Sequence, residues 1–515
     1  MAALTGVAEI GRGAGRKDQT ASAARALPAW WPLAVLTLIA AALRFSTLDL
    51  QSFWYDEAFT PVHVLSAGLF TTLHHVVQTE NTPPLWYIVA WAWSRLFGTG
   101  VVSLRFPSAV AGTLTVPVAW AVGRELAGGR RTAIVCAALV AVNPLFVWYS
   151  QEARAYGLYV LLSAIALLCF LRADHEPTPR RLAWFALSAS LALLTFYFEV
   201  FLLIPMILWL LRDPARRRAA LAACAVPTVV GLALVPLVLA QGGHGTQWIS
   251  RWALSSRIQS IPQYYLTGYS GSPLGHGIEL LIALLIVAAV VLGLVRGLDG
   301  TARRGALLAL VIAACGVLIP LVLAVGGADY LAPRNVVAAM IPLTALVAVL
   351  AGAPPTRRAG MALAALVALA FLAVTLDVNR NVRLQRSDWR GVVAALRKPL
   401  DGQRSSRAIT LEELGSAPLE YYMPPLHNMP SGATTSVREI DEIGFFPLRP
   451  GASDPPAPGF RLAQSLDIHD LIVYRFLAAA PRTVSQATLI GKVITLDQHA
   501  EVLLPGSGSL SVGAP

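Results

Sequence analysis

The sequence predicts an all-α polytopic membrane protein of about eleven transmembrane helices, followed by a small C-terminal α/β domain outside the membrane. Three observations carry this reading. The 515 residues are 56% hydrophobic and only 13% charged, with a mean hydropathy of +0.61, whereas globular domains carry roughly twice that charge. Runs of about 18–22 apolar residues recur through the first three quarters of the chain, long enough to cross a hydrocarbon core of about 30 Å. Arginines fall mostly into alternate loops between those runs, as positive-inside topology requires.

Span 1 covers about residues 30–48 and opens into a first outer loop, 49–103. Within that loop, residues 84–97 are apolar and Trp-rich but only about fourteen long, which suits an interfacial or re-entrant segment better than a span. The next spans are about 104–122, 132–148, 156–171, 182–198, 200–211, 219–240, 277–295, 306–325, 336–350 and 361–376. Loops on one side then carry Arg124, Arg130 and Arg131; Arg172, Arg180 and Arg181; and Arg212, Arg216, Arg217 and Arg218. Arg296, Arg303, Arg304, Arg357 and Arg358 follow on the same side. Counting 84–97 as a span would send all of them outward. The expected orientation therefore has a cytoplasmic N-terminus in a plasma membrane, with the polar loops between basic ones outside.

Residues 1–29, Ala/Gly-rich with Arg12, Arg16, Lys17 and Arg25, read as a disordered cytoplasmic tail. A cleaved signal peptide fits less well, because the first apolar run starts late and lacks a small-residue cleavage site. The net charge of +11 is spent on topology, so no nucleic-acid partner is expected. Cys136, Cys169, Cys224 and Cys315 all lie in apolar runs and have neither disulfide nor metal spacing. From about residue 377 the hydropathy collapses, which divides the chain into 1–29, 30–376 and 377–515. In the last part 388–396 has helical periodicity, 408–411, 471–476 and 492–496 read as strands, 447–458 as a loop and 507–515 as a frayed tail.

Asp56 and Glu57 stand where span 1 gives out, among Phe53, Trp54, Tyr55 and Phe59. Carboxylates next to lipid are costly to ionise and usually have a partner or a task, although Asp56 also suits the cap of a following helix. The predicted topology brings Glu80, Asn81, Glu152, Arg154, Glu199, the long loop 241–276 and Arg334 to the same outer face. Such convergence suits an enzyme acting on a lipid-linked anion. Arginine forks bind a phosphate at the interface, and a carboxylate beside a hydroxyl serves as general base.

Tyr55-Asp56-Glu57, Thr82-Pro83-Pro84-Leu85-Trp86-Tyr87, Leu104-Arg105-Phe106-Pro107-Ser108-Ala109, Gln151-Glu152-Ala153-Arg154-Ala155-Tyr156 and Ala332-Pro333-Arg334 resemble, in order, the motifs of the C-type membrane glycosyltransferases. The branch is that of the protein O-mannosyltransferases and bacterial aminoarabinose transferases, and Ser387-Asp388-Trp389-Arg390 resembles the opening of a tail domain found in many bacterial members. The resemblance implies the C-type fold, a polyprenyl-phosphate sugar donor, a glycan, glycolipid or protein acceptor, and inversion at the anomeric carbon. It implies Asp56 as base with Glu57 sharing that role, Glu152 and Arg154 as site residues of the second outer loop, and Arg334 near the donor phosphate, where Arg154 and Arg105 are read as joining it. Glu152, Glu80, Asn81, Tyr55 and Tyr265 are expected at the substrate. Phe59, Asn81-Thr82 and Phe196 depart from the aminoarabinose pattern, which has a basic residue, Glu-Lys and His there. The Ala/Arg-heavy usage suggests a GC-rich bacterial genome, for which mannose or arabinose is the expected sugar.

Plainer roles stand beside these. Arg105 also suits snorkelling, Glu152 and Arg154 a pair across a tight turn, and Arg334 a helix-end anchor. His63, His74 and His75 read as interfacial surface residues rather than metal ligands, and Tyr264, Tyr265 and Tyr269 as belt aromatics or a substrate cover. No metal ligand set is legible, which leaves a divalent cation open. A lipid-linked sugar flippase would need ionisable residues at midplane, a scaffold leaves the acid pair unexplained, and a polymerase or ligase using a lipid diphosphate is the nearest alternative enzyme.

Overall fold

A computed structural model describes residues 30–214, 217–269, 271–400, 402, 406–492, 494–495 and 500–506. The expected tails 1–29 and 507–515, Arg216, and part of the expected strand 492–496 lie outside the described residues.

Helix α1 (Trp31–Phe45) leads into a first loop built from α2 (Tyr55–Phe59), a π-helical turn Thr60–Val64, α3 (Leu69–Thr79) and α4 (Leu85–Phe97). Helices α5 (Val101–Ala127), α6 (Arg130–Val142), α7 (Pro144–Ser150) and α8 (Tyr156–His175) form the centre of the bundle. They are followed by α9 (Pro179–Leu193), α10 (Glu199–Leu211) and α11 (Arg217–Ala240). The long loop holds α12 (Gln247–Arg251) and α13 (Leu254–Thr267), after which come α14 (Gly277–Arg296) and α15 (Gly300–Val325). A 3-10 turn, Pro333–Ala339, runs into α16 (Met340–Gly352), and α17 (Arg357–Arg380) closes the bundle.

Among the described residues seven stretches are long and apolar enough to cross a membrane, or eight if the bent pair α6–α7 is one span. Of the eleven expected, α1 and α9 have 15 residues and α10 has 13. At 1.5 Å per residue these are about 20–22 Å long, short of an average hydrocarbon core. Helix α4, with 13 residues, is likewise too short to span alone, in keeping with its exclusion from the count.

Between α6 and α7 the chain turns by 57° at Asn143-Pro144. Pro144 cannot donate to the preceding turn, and Asn143 restarts the helix by accepting from Leu145 and Phe146 N–H at 3.1 and 3.2 Å. The carbonyls stranded at the end of α6 are taken by Arg44 of α1. This fully buried guanidinium donates to Ala141 O at 2.8 Å, Val140 O at 3.2 Å and Ser150 Oγ at 3.1 Å. The fit needs Gly112 of α5, where a Cβ would sit 1.9 Å from Ser150 Oγ.

The second domain begins with α18 (Trp389–Leu396), whose first turn is capped by Asp388 accepting from Gly391 N–H at 3.0 Å. It continues as β1 (Arg407–Glu412), α19 (Glu413–Tyr422), β2 (Leu426–Asn428), β3 (Thr434–Phe445), β4 (Phe460–Ile468), β5 (Leu471–Ser485), α20 (Gln486–Ile490) and β6 (Ala500–Pro505). The six strands are ordered β2-β6-β1-β3-β5-β4, with β1 and β3 parallel and the other pairs antiparallel. The expected strands 408–411 and 471–476 lie within β1 and β5. The third does not form among the described residues: Thr495 makes an isolated bridge to Leu448, and Ile494 is buried against Ile472 and Ala452.

This domain sits on the loop that follows α1. Phe53 N–H donates to Tyr422 Oη at 2.8 Å, Tyr421 Oη donates to Thr99 O at 3.0 Å, and Arg390 pairs with Asp49 at 2.6 Å. Phe53, Ala58, Leu104, Ala153 and Ala417 form an apolar seam between the two.

Candidate active site

Helix α2 is a single turn, too short to hold itself. It carries Asp56 and Glu57 in successive positions, so the two side chains diverge. Glu57 turns into the protein and Asp56 stays partly open.

Glu57 is fully buried and takes a two-pronged bond from Arg105 of α5, Nε–Oε1 at 2.7 Å and Nη2–Oε2 at 2.6 Å. Arg105 spends its other N–H groups on Leu48 O and Gln51 O at 2.8 Å and Ser52 O at 3.0 Å. All five donors are thus used within the protein, and the expected contact with a donor phosphate finds no free N–H on this guanidinium. Arg105 fixes the loop instead. Ala153 N–H adds a bond to Glu57 Oε1 at 2.8 Å, which ties the acid pair to the loop between α7 and α8.

Arg154 does not pair with Glu152 across the turn. Its guanidinium reaches Glu80, at the end of α3, with Nη1–Oε1 at 3.0 Å and Nη2–Oε2 at 2.8 Å. Asn81 donates to His244 O at 3.3 Å and holds the long loop to the first. Glu152, also fully buried, pairs with Arg386 at 3.2 Å, while its Oε1 has no hydrogen-bond partner. Burial pushes the Glu152 carboxyl up to about 7; Arg386 pulls it down, and Glu57 and Asp56 add to the rise.

Arg334, in the 3-10 turn before α16, places Nη1 2.7 Å from Asp56 Oδ2 and lies over the Trp248 ring at 4.7 Å. This pair differs from the rest: the Asp56 and Arg334 side chains are 19% and 18% exposed. Among the described residues, Oδ1 of Asp56 and the remaining nitrogens of Arg334 make no hydrogen bond to protein. Four arginine–carboxylate pairs therefore stand together, three of them buried and one partly open.

Aromatic rings wall the open pair. Tyr269 packs between Trp148, at 5.3 Å, and Trp54, at 6.3 Å, with Tyr264 at 5.4 Å. Trp54 Nε1 and Tyr149 Oη are buried with no partner. Tyr55 packs on Phe59 at 5.7 Å, and burial, Glu413 and Asp56 push its hydroxyl above the usual tyrosine range. Tyr265 is set back, its hydroxyl donating to Val336 O at 3.2 Å and its carbonyl accepting from Asn143. Glu199 is not part of this cluster; it is buried between α8 and α10 with Ser163 as its hydrogen-bond partner.

Sequence reasoning missed Arg386, Tyr149, Trp148 and Trp54 as site residues. The signal for Arg386 was its place one residue before Ser387-Asp388-Trp389-Arg390, where the hydropathy collapses. His63 is exposed, as expected of a surface residue, and pairs with Glu420 of the second domain at 3.1 Å, while His75 contacts Val64 O at 3.0 Å. Among the described residues no group of three or more His, Cys, Asp or Glu is arranged to hold a metal ion.

No curated protein matches the sequence. Residues 81–240 match the family of dolichyl-phosphate-mannose-protein mannosyltransferases. Among solved structures, ArnT from Cupriavidus metallidurans bound to undecaprenyl phosphate superposes with a TM-score of 0.52 at 13% identity, over 87% of this chain and 98% of that one. The apo state of the same protein gives a TM-score of 0.51 at 13% identity, over 86% and 97%. The fold of ArnT over nearly its whole length, with the pattern of the protein mannosyltransferases across residues 81–240, bears out the resemblance to the C-type membrane glycosyltransferases of the protein O-mannosyltransferase and aminoarabinose transferase branch.

Proposed function

We propose that this protein transfers a sugar from a polyprenyl phosphate to an acceptor hydroxyl on the extracytoplasmic face of a bacterial plasma membrane, with inversion at C1 and Asp56 as general base. The observation that carries the reading is the partly open Asp56–Arg334 pair amid three buried ones. Undecaprenyl phosphate bound to ArnT supports a lipid phosphate as the donor's carrier here.

Asp56 holds one oxygen against Arg334 and keeps Oδ1 for the acceptor proton. Arg334 keeps free N–H groups for the phosphate, and stabilises it as the C1–O bond breaks and charge builds on the lipid side. A phosphate monoester leaves without a protonating acid. The acceptor oxygen attacks C1 from the face opposite the phosphate, its proton passing to Asp56. Glu57 and Glu80, each doubly bound to an arginine, position the loops rather than exchange protons. The unpartnered Trp54, Tyr149 and Glu152 groups suit the hydroxyls of a sugar, since a buried polar atom left unbonded costs about 1–3 kcal/mol.

The test is transfer from a panel of radiolabelled polyprenyl-phosphate sugars in membranes, wild type beside Asp56→Asn, with and without chelator. Transfer by wild type that is lost in the variant supports enzyme class, donor and base together. Near-normal transfer by a folded Asp56→Asn protein refutes the base, and no transfer or hydrolysis from any donor refutes the enzyme.

A further inference from the structure

Arg386 is delivered to the site by the junction between the bundle and the second domain. It follows the short turn after α17, at the junction where the chain leaves the bundle, and its side chain is 4% exposed. The guanidinium lies over the Trp148 ring, 4.0 Å from its centroid. From there Nη2 reaches Glu152 Oε2 at 3.2 Å, and Nε stands 3.7 Å from Glu57 Oε2. Its backbone N–H donates to Gln51 Oε1 at 2.9 Å. The following residues grip the same loop: Asp388 accepts from Ser52 Oγ at 3.2 Å, and Arg390 N–H donates to Ser52 Oγ at 3.2 Å.

Two buried carboxylates from two different outer loops thus converge on one cation from a third segment. Arg105 serves Glu57 but does not reach Glu152. Without Arg386 the Glu152 carboxylate has no cation in hydrogen-bond reach, and a buried unpaired charge strains whatever holds it. Glu57 is bonded to Ala153, the neighbour of Glu152, so a shift at Glu152 passes through that backbone to the one-turn helix that carries Asp56.

We infer that Arg386 is a positioning residue for the transfer reaction: it locks the first outer loop to the second, and through Glu57 and Glu152 it sets where Asp56 stands. The inference rests on the functional reading above. It makes the membrane-external domain a working part of the site through its junction.

The test uses the full chain, with Arg386→Gln, Arg386→Lys, Glu152→Gln and the double variant Arg386→Gln/Glu152→Gln in the transfer assay. Displacement of a reacting group by about 1 Å costs on the order of a hundredfold, so Arg386→Gln is expected to lower kcat about tenfold to a hundredfold, with the donor KM within about threefold of wild type because Arg334 is untouched. Arg386→Lys keeps the charge but loses the fork and the stacking, and regains part of kcat. The double variant is more active than Arg386→Gln, since no unpaired carboxylate remains. The groups facing Glu152 are Arg386, Glu57, Asp56, Arg334, Tyr149, Tyr156 and Tyr269. Loss of the cation among them moves the limb of the pH–rate profile that belongs to Glu152 to higher pH, and Glu152→Gln removes that limb.

Wild-type kcat and an unmoved pH profile in Arg386→Gln overturn the inference, as does a loss of the same size in the Glu152→Gln background. Should Arg386→Gln fail to fold, Arg386→Lys decides: reduced kcat with a moved profile supports positioning, and wild-type values of both overturn it. A wild-type protein with no transfer at all refutes the functional reading instead, and is told apart by that alone.

Discussion

Arg334 Nη1 lies 2.7 Å from Asp56 Oδ2 although 278 residues separate them in sequence. One comes from the first loop and the other from the turn that opens α16, and both side chains are more exposed than those of the buried pairs around them. A partly open ion pair is a working arrangement, in which each partner keeps atoms for something else.

Removing Asp56 is expected to abolish chemistry and spare the fold. A positioned general base contributes about 10²–10⁴-fold, so Asp56→Asn lowers kcat by that order with little change in thermal unfolding, because pairs open to solvent contribute at most about 1 kcal/mol. Arg334→Lys, which keeps a charge but loses the fork, is expected to raise the donor KM and lower kcat together. Steady-state kinetics beside melting curves check both.

The opposite pattern is expected at Glu57 and Arg105. Breaking a buried pair on one side costs about 3–5 kcal/mol, so Arg105→Ala and Glu57→Ala are each expected to lower the unfolding temperature in detergent markedly. The double variant Glu57→Ala/Arg105→Ala, which leaves no charge behind, loses less than the sum of the two. A double-mutant cycle on unfolding temperature reads the difference.

Domain docking has its own signature. Tyr422→Phe removes the acceptor of the Phe53 N–H, and an unsatisfied buried donor costs about 1–3 kcal/mol. Faster proteolytic release of the second domain is expected, with the bundle itself equally stable. Cleavage rates at matched temperature test it.

The second domain should also weaken as pH rises. Burial pushes Glu412 up to about 7 and Glu442 up to about 8. The folded domain then binds more protons than the unfolded chain from about pH 4.5 upward, so stability falls with pH until Glu442 has titrated, and is flat beyond. Unfolding followed by near-ultraviolet circular dichroism at pH 6 and pH 8.5 is expected to show the lower midpoint at pH 8.5, and Glu442→Gln is expected to narrow the gap.

Much of the bundle was legible because lipid leaves its mark on composition: apolar runs set the helices, and arginine placement set their grouping. The short helices were harder. The apolar run through 182–211 reads as two spans, yet the chain breaks at 194–198 and leaves Glu199 buried in the protein against Ser163. Strands β3, β4 and β6 escaped notice because their alternation is interrupted; β3 carries Glu439, Asp441 and Glu442 in buried positions, with Arg407 and Arg475 as cations for the first two. In the site, Asp56, Glu57, Glu152, Arg154 and Arg334 could be named from their place at span ends. Who pairs with whom could not. Arg154 with Glu80 and Glu152 with Arg386 are decided by three-dimensional reach, which crosses loops that sequence spacing treats as unrelated.

Arg44 gives the arrangement a foundation below the surface. It joins α1, whose end launches the loop carrying Asp56, to the elbow of α6 and α7, whose end launches the loop carrying Glu152. Both loops hang from elements pinned at a single buried cation, so the distance between them is gauged from beneath, before anything touches the residues they carry.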